Sequence, residues 1–281
     1  MEFLYETIAA VTWQQVIMWC LGALLIFLAI KKDMEPALLL PMGFGAILIN
    51  IPFSGAEGVM SSLFAIGIEM NEIMPLVLFI GIGAMIDFGP LLSNPKLFLF
   101  GGAAQFGIFL TILLAAACGF SIEDAASIGI IGAADGPTSI VVAQTLKSNY
   151  VGPIMVVAYS YMALVPIIQP AVIKLTTTKK ERLIRMEYKP ASVSKRTKIL
   201  FPILVTIVSG LIAPASLSLV GMLMFGNLIR ECGVLNYLTD TAKDVLTNLV
   251  TLFLGITIAF TMKAENFITV QTLMIMGLGL C

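Results

Sequence analysis

Between Leu97 and Gly119 the chain carries no Asp, Glu, Lys or Arg, and apolar runs of this kind recur from one end of the sequence to the other. A run that long meets the roughly 20 residues an α-helix needs to cross a bilayer. Lipid offers no partner to a free N–H or C=O, so a chain of such runs must satisfy its backbone internally. Composition agrees: 59% of residues are hydrophobic, 12% are charged and the mean hydropathy is +1.00, far from a soluble domain. The expected fold is all-α, a polytopic integral membrane protein forming one transmembrane domain over residues 1–281.

Several function classes drop out at once. There is no histidine, which removes imidazole as acid, base or metal ligand, so any bound metal must be a hard cation held by oxygens. The net charge of −1 and the lack of a dispersed basic patch give no support for nucleic acid. No Walker-type glycine loop is present, so nucleotide-driven transport has no support. Cys20, Cys118, Cys232 and Cys281 lie far apart, mostly in or beside apolar runs, and read as small core residues.

Charge orients the runs. Trp13 to Ile30 is a first span, stopped by Lys31-Lys32-Asp33 on the cytoplasmic side. Ala37 to Pro52 leads outward, and its Pro41, Gly43 and Gly45 suggest an irregular or closely packed helix. Ser54 to Asn71 has acidic and no basic residues and is placed outside or in the outer interface. Ile73 to Asp87 returns, and Leu97 to Gly119 leads out to Glu123-Asp124. Val151 to Leu175 then ends in the loop 174–198, which holds nine of the sixteen Lys and Arg residues and belongs in the cytoplasm. Ile199 to Ala213 and Ser216 to Ile229 cross out and back, Asn236 to Asn248 reads as a cytoplasmic interfacial stretch, and Leu249 to Met262 crosses again.

Between the fourth and fifth of these runs lies Gly129-Ile-Ile-Gly-Ala-Ala-Asp135-Gly-Pro137-Thr-Ser139. Asp135 is its single ionisable side chain from Ser127 to Thr145. A carboxylate at bilayer depth is costly and points to a functional site. Gly136-Pro137 cannot continue a helix, yet Pro137 suits the first turn of a new one. The segment reads as two half-helices broken at Asp135, with carbonyls from Gly132 to Ala134 and the next helix N-terminus converging on one spot, the arrangement of transporter ion sites. Because the turn before it is outside and the span after it ends inside, the segment must enter and leave on the outer side, as a re-entrant hairpin.

Short matches, Leu78–Ile82 with Leu252–Ile256 and Phe44-Gly45 with Phe225-Gly226, suggest an inverted repeat: a first copy over about 37–175 and a partial second over about 199–281. The last run, Thr269 to Leu280, is too short to cross and stops at Cys281, so the second half reads as truncated.

Five stretches carry a resemblance: Gly81-Ile-Gly-Ala-Met-Ile-Asp87-Phe-Gly-Pro90, Gln105-Phe-Gly107, Gly132-Ala-Ala-Asp-Gly-Pro-Thr138, Ala158-Tyr-Ser-Tyr-Met-Ala-Leu-Val-Pro166 and Phe225-Gly-Asn-Leu228. The chain resembles the beta subunit of sodium-translocating, biotin-dependent decarboxylases, which act on oxaloacetate, methylmalonyl-CoA or glutaconyl-CoA. The family continues through further membrane segments, including a second polar hairpin without a match before Cys281.

The resemblance implies a bacterial inner-membrane, multi-pass subunit that decarboxylates carboxybiotin and exports sodium while a proton from outside is consumed. Biotin would sit on a carrier subunit and not on this chain. The implied partners are that carrier, a carboxyltransferase and a small membrane-anchoring subunit, besides lipid; a homo-oligomer stays open. Asp135 would bind sodium and exchange protons, and Tyr161 would be a second ligand or proton donor. Burial favours the neutral acid when no cation is bound and a cation favours the carboxylate, so one group can carry each in turn. Exporting one cation against about 100 mV costs about 2.3 kcal/mol, within reach of one decarboxylation.

Each supporting residue has a plainer reading. Tyr159 and Tyr161 fit an aromatic belt. Thr138 and Ser139 either coordinate sodium, with Gly132, or only satisfy the freed backbone. Asp87 fits a helix end as well as a pathway, and Asn227 fits helix packing as well as the ion route. The loop 174–198 is an anchor that also suits docking of a partner. A free-standing sodium-coupled transporter of a small carboxylate needs the same broken helix, and residues alone do not separate it from the pump; a structural subunit is a third reading.

Overall fold

The computed structural model describes residues 2–70, 72–185 and 193–279. Asn71, Lys189 of the basic loop, Leu280 and Cys281 lie outside the described residues. Every regular element among the described residues is helical, with no strand. A short α1 (Glu2–Ala9) precedes α2 (Trp13–Lys32), which starts at a capping box in which Thr12 and Gln15 exchange side-chain-to-backbone hydrogen bonds. It ends on Lys31 and Lys32, with Asp33 left-handed at φ 54°. Next come α3 (Pro36–Ile49), α4 (Ala56–Phe64) and α5 (Ile73–Met85), then the single turn α6 (Gly89–Ser93) and α7 (Phe98–Ala117). The helices α8 (Ile122–Gly129) and α9 (Gly136–Thr145) flank Asp135, and α10 (Val151–Thr176) follows. After α11 (Lys179–Arg182) come α12 (Lys195–Ile212), α13 (Leu217–Cys232), α14 (Asn236–Asp240), α15 (Thr247–Ala259), the turn α16 (Ala264–Phe267) and α17 (Val270–Gly279).

Among the described residues, three helical stretches are long and apolar enough to cross a membrane: Trp13–Lys32, Pro95–Ala117 and Asn236–Met262. Two bent pairs bring this to as many as five: Ala56–Glu69 with Ile73–Met85, at 62°, and Val151–Met162 with Ile167–Thr176, at 66°. The chain is a multi-pass membrane protein. Along α7, Leu99, Phe100, Phe106, Phe109 and Leu113 all face outward, a surface that lipid covers as well as a core would.

Two polar stretches are more regular than their composition suggests. Ala56–Phe64 is helical and runs on through a π-turn at Ala65–Glu69, and Asn236–Asp240 runs through a π-turn at Thr241–Leu246 into α15. In the second, Asp240 and Lys243 pair at 3.0 Å on the exposed side, while the Thr239 hydroxyl donates to Ile229 O and Leu235 O. The polar groups are thus met locally and the helix need not end. The cysteines also differ from expectation. Cys20 and Cys118 are exposed and Cys232 is intermediate, because an outward apolar face in lipid is chemically the same as an inward one, so apolar surroundings do not predict burial.

The packing interleaves the two halves of the chain. Helix α3 lies on α2 and on α15, and α13 lies on α12 and on α5. The α5–α13 crossing is backbone on backbone: a Cβ at Gly83 would fall 1.9 Å from Leu223 O, and one at Gly226 would fall 1.9 Å from Ile80 O. The close packing expected of α3 is present too, with Gly43 against Gly22 O and Gly45 against the Ala259 side chain. One apolar cluster joins Met18, Leu38, Met42, Leu78, Ile140, Tyr159 and Leu254. A second joins Ile128, Ile131, Val157, Tyr161 and Ile275.

Side-chain contacts gather at two ends. At one, the buried Asn50 donates from Nδ2 to Ala46 O and Met262 O and accepts from the Ala264 N–H, all at 2.8 Å, and Lys263 pairs with Glu57. Asn149 and Tyr150 share a cavity with Lys263 and Glu265 at this end. At the other, Asp87 and Glu231 meet Lys198 and Arg230 at 3.4–3.9 Å. Glu57, Asn149, Lys263 and Glu265 thus lie at one end, and Asp87, Lys198, Arg230 and Glu231 at the other.

Candidate functional site

The centre is the break between α8 and α9. Ser121 precedes helix α8, its hydroxyl capping the Asp124 N–H, and the helix ends at Gly129. A single 3-10 turn, Ile130–Ala133, follows. Ala134 then turns left-handed at φ 52° and Asp135 is extended at φ −131°, ψ 101°. A non-glycine residue in the left-handed region is uncommon and marks a site that its surroundings hold in place. Gly136 and Pro137 then open α9. Two half-helices with Asp135 between them are the arrangement expected from the sequence.

Asp124 ties the base of this loop. It is 4% exposed and takes hydrogen bonds from the Ser148 hydroxyl at 2.8 Å, the Asn149 N–H at 2.9 Å, the Ser121 hydroxyl at 2.9 Å and Asn149 Nδ2 at 3.2 Å. Residue 124 near the start of α8 and residues 148–149 just beyond α9 therefore lie side by side, so both arms begin and finish at one end. The sequence reading missed this tie; its signal was the polar Ser-Asn and Glu-Asp pairs bracketing an uncharged segment.

Asp135 is partly buried. Its carboxylate accepts a hydrogen bond from the Thr138 hydroxyl, and its backbone oxygen accepts from the Ser139 hydroxyl at 2.9 Å and the Ser139 N–H at 3.1 Å. Thr138 and Ser139 thus bond to Asp135 itself, consistent with either reading of them. Residues 132–134 are exposed although Ile131 before them and Gly136-Pro137 beyond Asp135 are buried. Gly132 and Ala134 line a cleft of about 360 Å³ together with Ile131, Tyr161, Gln169 and the far half of α10.

The two tyrosines part company. Two residues along a helix are about 200° apart around its axis. Tyr161 packs in the cluster with Ile131, lines the cleft and donates its hydroxyl to Met276 O. Tyr159 packs in the other cluster, with the hydroxyl-bearing end of its ring against Gly136. The sequence offered an aromatic belt for both tyrosines, and both are instead buried.

Asn227 and Asp87 lie away from the break. Asn227 is 1% exposed and donates from Nδ2 to Ile86 O at 2.9 Å and Gly83 O at 3.4 Å, closing the C-terminal end of α5. Asp87 accepts the Gly89 N–H at 2.8 Å, which holds its carboxyl below the usual carboxylate range, with Lys198 and Arg230 adding to the effect against partial burial. Asn50 does for the end of α15 what Asn227 does for α5, and a lone amide in an apolar run was the signal for it.

Among the described residues no three Asp, Glu or Cys side chains gather as a metal cluster. One carboxylate, two hydroxyls and exposed backbone make an all-oxygen donor set of single negative charge, which suits a monovalent hard cation. The model of the Na+-transporting oxaloacetate decarboxylase beta subunit family matches residues 14–281. The chain belongs to this family. It is 49% identical to the methylmalonyl-CoA decarboxylase subunit beta of Propionigenium modestum, over 94% of this chain and 73% of that protein. The glutaconyl-CoA decarboxylase subunit beta of Acidaminococcus fermentans is also 49% identical, over 96% of this chain and 72% of the relative. The oxaloacetate decarboxylase beta chain of Klebsiella pneumoniae is 41% identical, over 94% and 76%. As a member of this family the chain is a subunit of a sodium-transporting decarboxylase.

Proposed function

We propose that the chain decarboxylates carboxybiotin presented by a carrier subunit and couples that step to sodium export, with a proton consumed. The observation that carries this is Asp135, held between two half-helices with Thr138 and Ser139 bonded to it. In this reading Asp135 binds sodium and later takes the proton. Gly132, Thr138 and Ser139 complete the oxygen shell, and Tyr161 acts from the cleft beside Gly132. Sodium is cargo: it binds the carboxylate, and protonation of that carboxylate releases it. Carboxyltransferase, biotin carrier and a small anchoring subunit are the partners, met on the face that carries the basic loop 174–198, and the site is the bacterial inner membrane.

Two structural readings belong with this one. The tie between Asp124 and Ser148-Asn149 supports a hairpin that enters and leaves on the outer side. The order α2, α3, α4 with its π-turn, α5 is matched by α12, α13, α14 with its π-turn, α15, which moves the start of the first copy from about residue 37 back to Trp13, and α3 packs on α15 as α13 packs on α5. That reciprocity supports an inverted repeat within a single domain. The sidedness has a direct check. A cysteine at Ser121 is expected to react with an impermeant thiol reagent from outside, and one at Ser194 from the cytoplasm; labelling of both from the same side overturns the topology.

The mechanism is tested with inverted vesicles carrying the assembled complex. Sodium uptake driven by the acyl substrate is expected to stop on addition of avidin, which sequesters biotin. Avidin-insensitive, substrate-dependent sodium flux is the result that a free-standing carboxylate transporter gives, and it would replace the pump.

A further inference from the structure

Tyr159 is 1% exposed, and its hydroxyl has no hydrogen-bond partner among the described residues. Native proteins rarely leave a buried hydroxyl so, because nothing offsets its lost hydration. The ring places this group beside the helix break. A Cβ at Gly136 would fall 2.5 Å from Cε1 and Cζ of Tyr159 and 2.6 Å from Cε2, so the phenol tip lies directly against the residue that follows Asp135. The Asp135 carboxylate accepts from Thr138, three residues on in the first turn of α9. One donor is engaged on the acid, and a second is stranded against the residue that follows it.

We propose that Tyr159 is a positioning residue of the ion site, its hydroxyl being the alternate hydrogen-bond donor to Asp135 that takes over when the carboxylate leaves Thr138. The proposal rests on the reading of Asp135 as the sodium site and adds a second rest position for its side chain. With Thr138 released, its hydroxyl oxygen turns to the cation while Tyr159 keeps the acid oriented. Glycine at 136 is what lets the phenol come close enough. Tyr161 is not the donor for this step, since it faces the other way around α10 and gives its hydroxyl to Met276 O.

A purely structural role predicts something different. If the hydroxyl is only trapped, removing it takes away an unmet polar group and leaves ion dependence alone. Tyr159→Phe keeps the ring and deletes the oxygen. In inverted vesicles carrying the intact complex, its sodium uptake is measured against sodium concentration across a range of pH, beside Asp135→Asn, and the unfolding midpoint of the purified complex is recorded. The expected result is a rise of about tenfold or more in the sodium concentration for half-maximal uptake, with the midpoint unchanged or higher. Sodium and pH curves that superimpose on the unmodified protein, while Asp135→Asn is inactive, overturn the role of Tyr159 and leave the ion site standing. An active Asp135→Asn variant overturns both.

Discussion

Asp135→Asn is expected to abolish sodium uptake and carboxybiotin decarboxylation together. Asparagine matches aspartate in shape and can still accept from the Thr138 hydroxyl through Oδ1, so the hairpin should fold. What it lacks is the charge that attracts the cation and the ability to take a proton in its place. A charged contact of this kind contributes about 2–3 kcal/mol, on the order of a hundredfold in sodium affinity, and without a proton acceptor the cycle cannot reset. Substrate-driven uptake of radioactive sodium and carbon dioxide release are measured on the same vesicles, with complex assembly checked by copurification. Full activity in either assay separates the carboxylate from coupling and removes the basis of the proposed mechanism.

Gly226→Ala is expected to lower stability sharply, as is Gly83→Ala on the facing helix of the same crossing. At this crossing the methyl of Gly226→Ala would fall 1.9 Å from Ile80 O, 2.8 Å from Ile80 C and 2.9 Å from Ala84 N, all backbone atoms of α5. A side chain can rotate away from an intruder; a hydrogen-bonded helix backbone cannot. The two helices must move apart, which also pulls Asn227 from Ile86 O and Gly83 O and uncovers the end of α5. Overpacking of this kind costs about 3 kcal/mol or more. Gly221 lies on the same helix with nothing within 4 Å of a built Cβ, so Gly221→Ala is the matched control and should lose nothing. The two variants are compared by unfolding midpoint in detergent; equal midpoints would mean that α5 and α13 do not meet at Gly226.

The Asp135 break was legible because it is made of local chemistry. Pro137 has no N–H and fixes its own φ, Gly136 precedes it, and no neighbour in sequence supplies a second charge. The same holds for the close approach promised by Gly43 and Gly45. The tie from Asp124 to Ser148 and Asn149 was not legible, since it joins positions that only the turn of the chain at Ala134 brings together. Nor were the different surroundings of Tyr159 and Tyr161. Both lie in one apolar run, and apolarity in lipid does not say which face looks inward.

Residue order alone therefore determined that this chain is helical, that it belongs in a membrane, and that its helices are interrupted at one acid. Those outcomes follow from side-chain hydropathy and from what glycine and proline allow the backbone. Which helices touch was decided only in three dimensions: α3 against α15, α5 against α13, and the phenol of Tyr159 beneath Gly136. Such contacts depend on the shape of two surfaces that meet across the bundle, and no short stretch of sequence contains both.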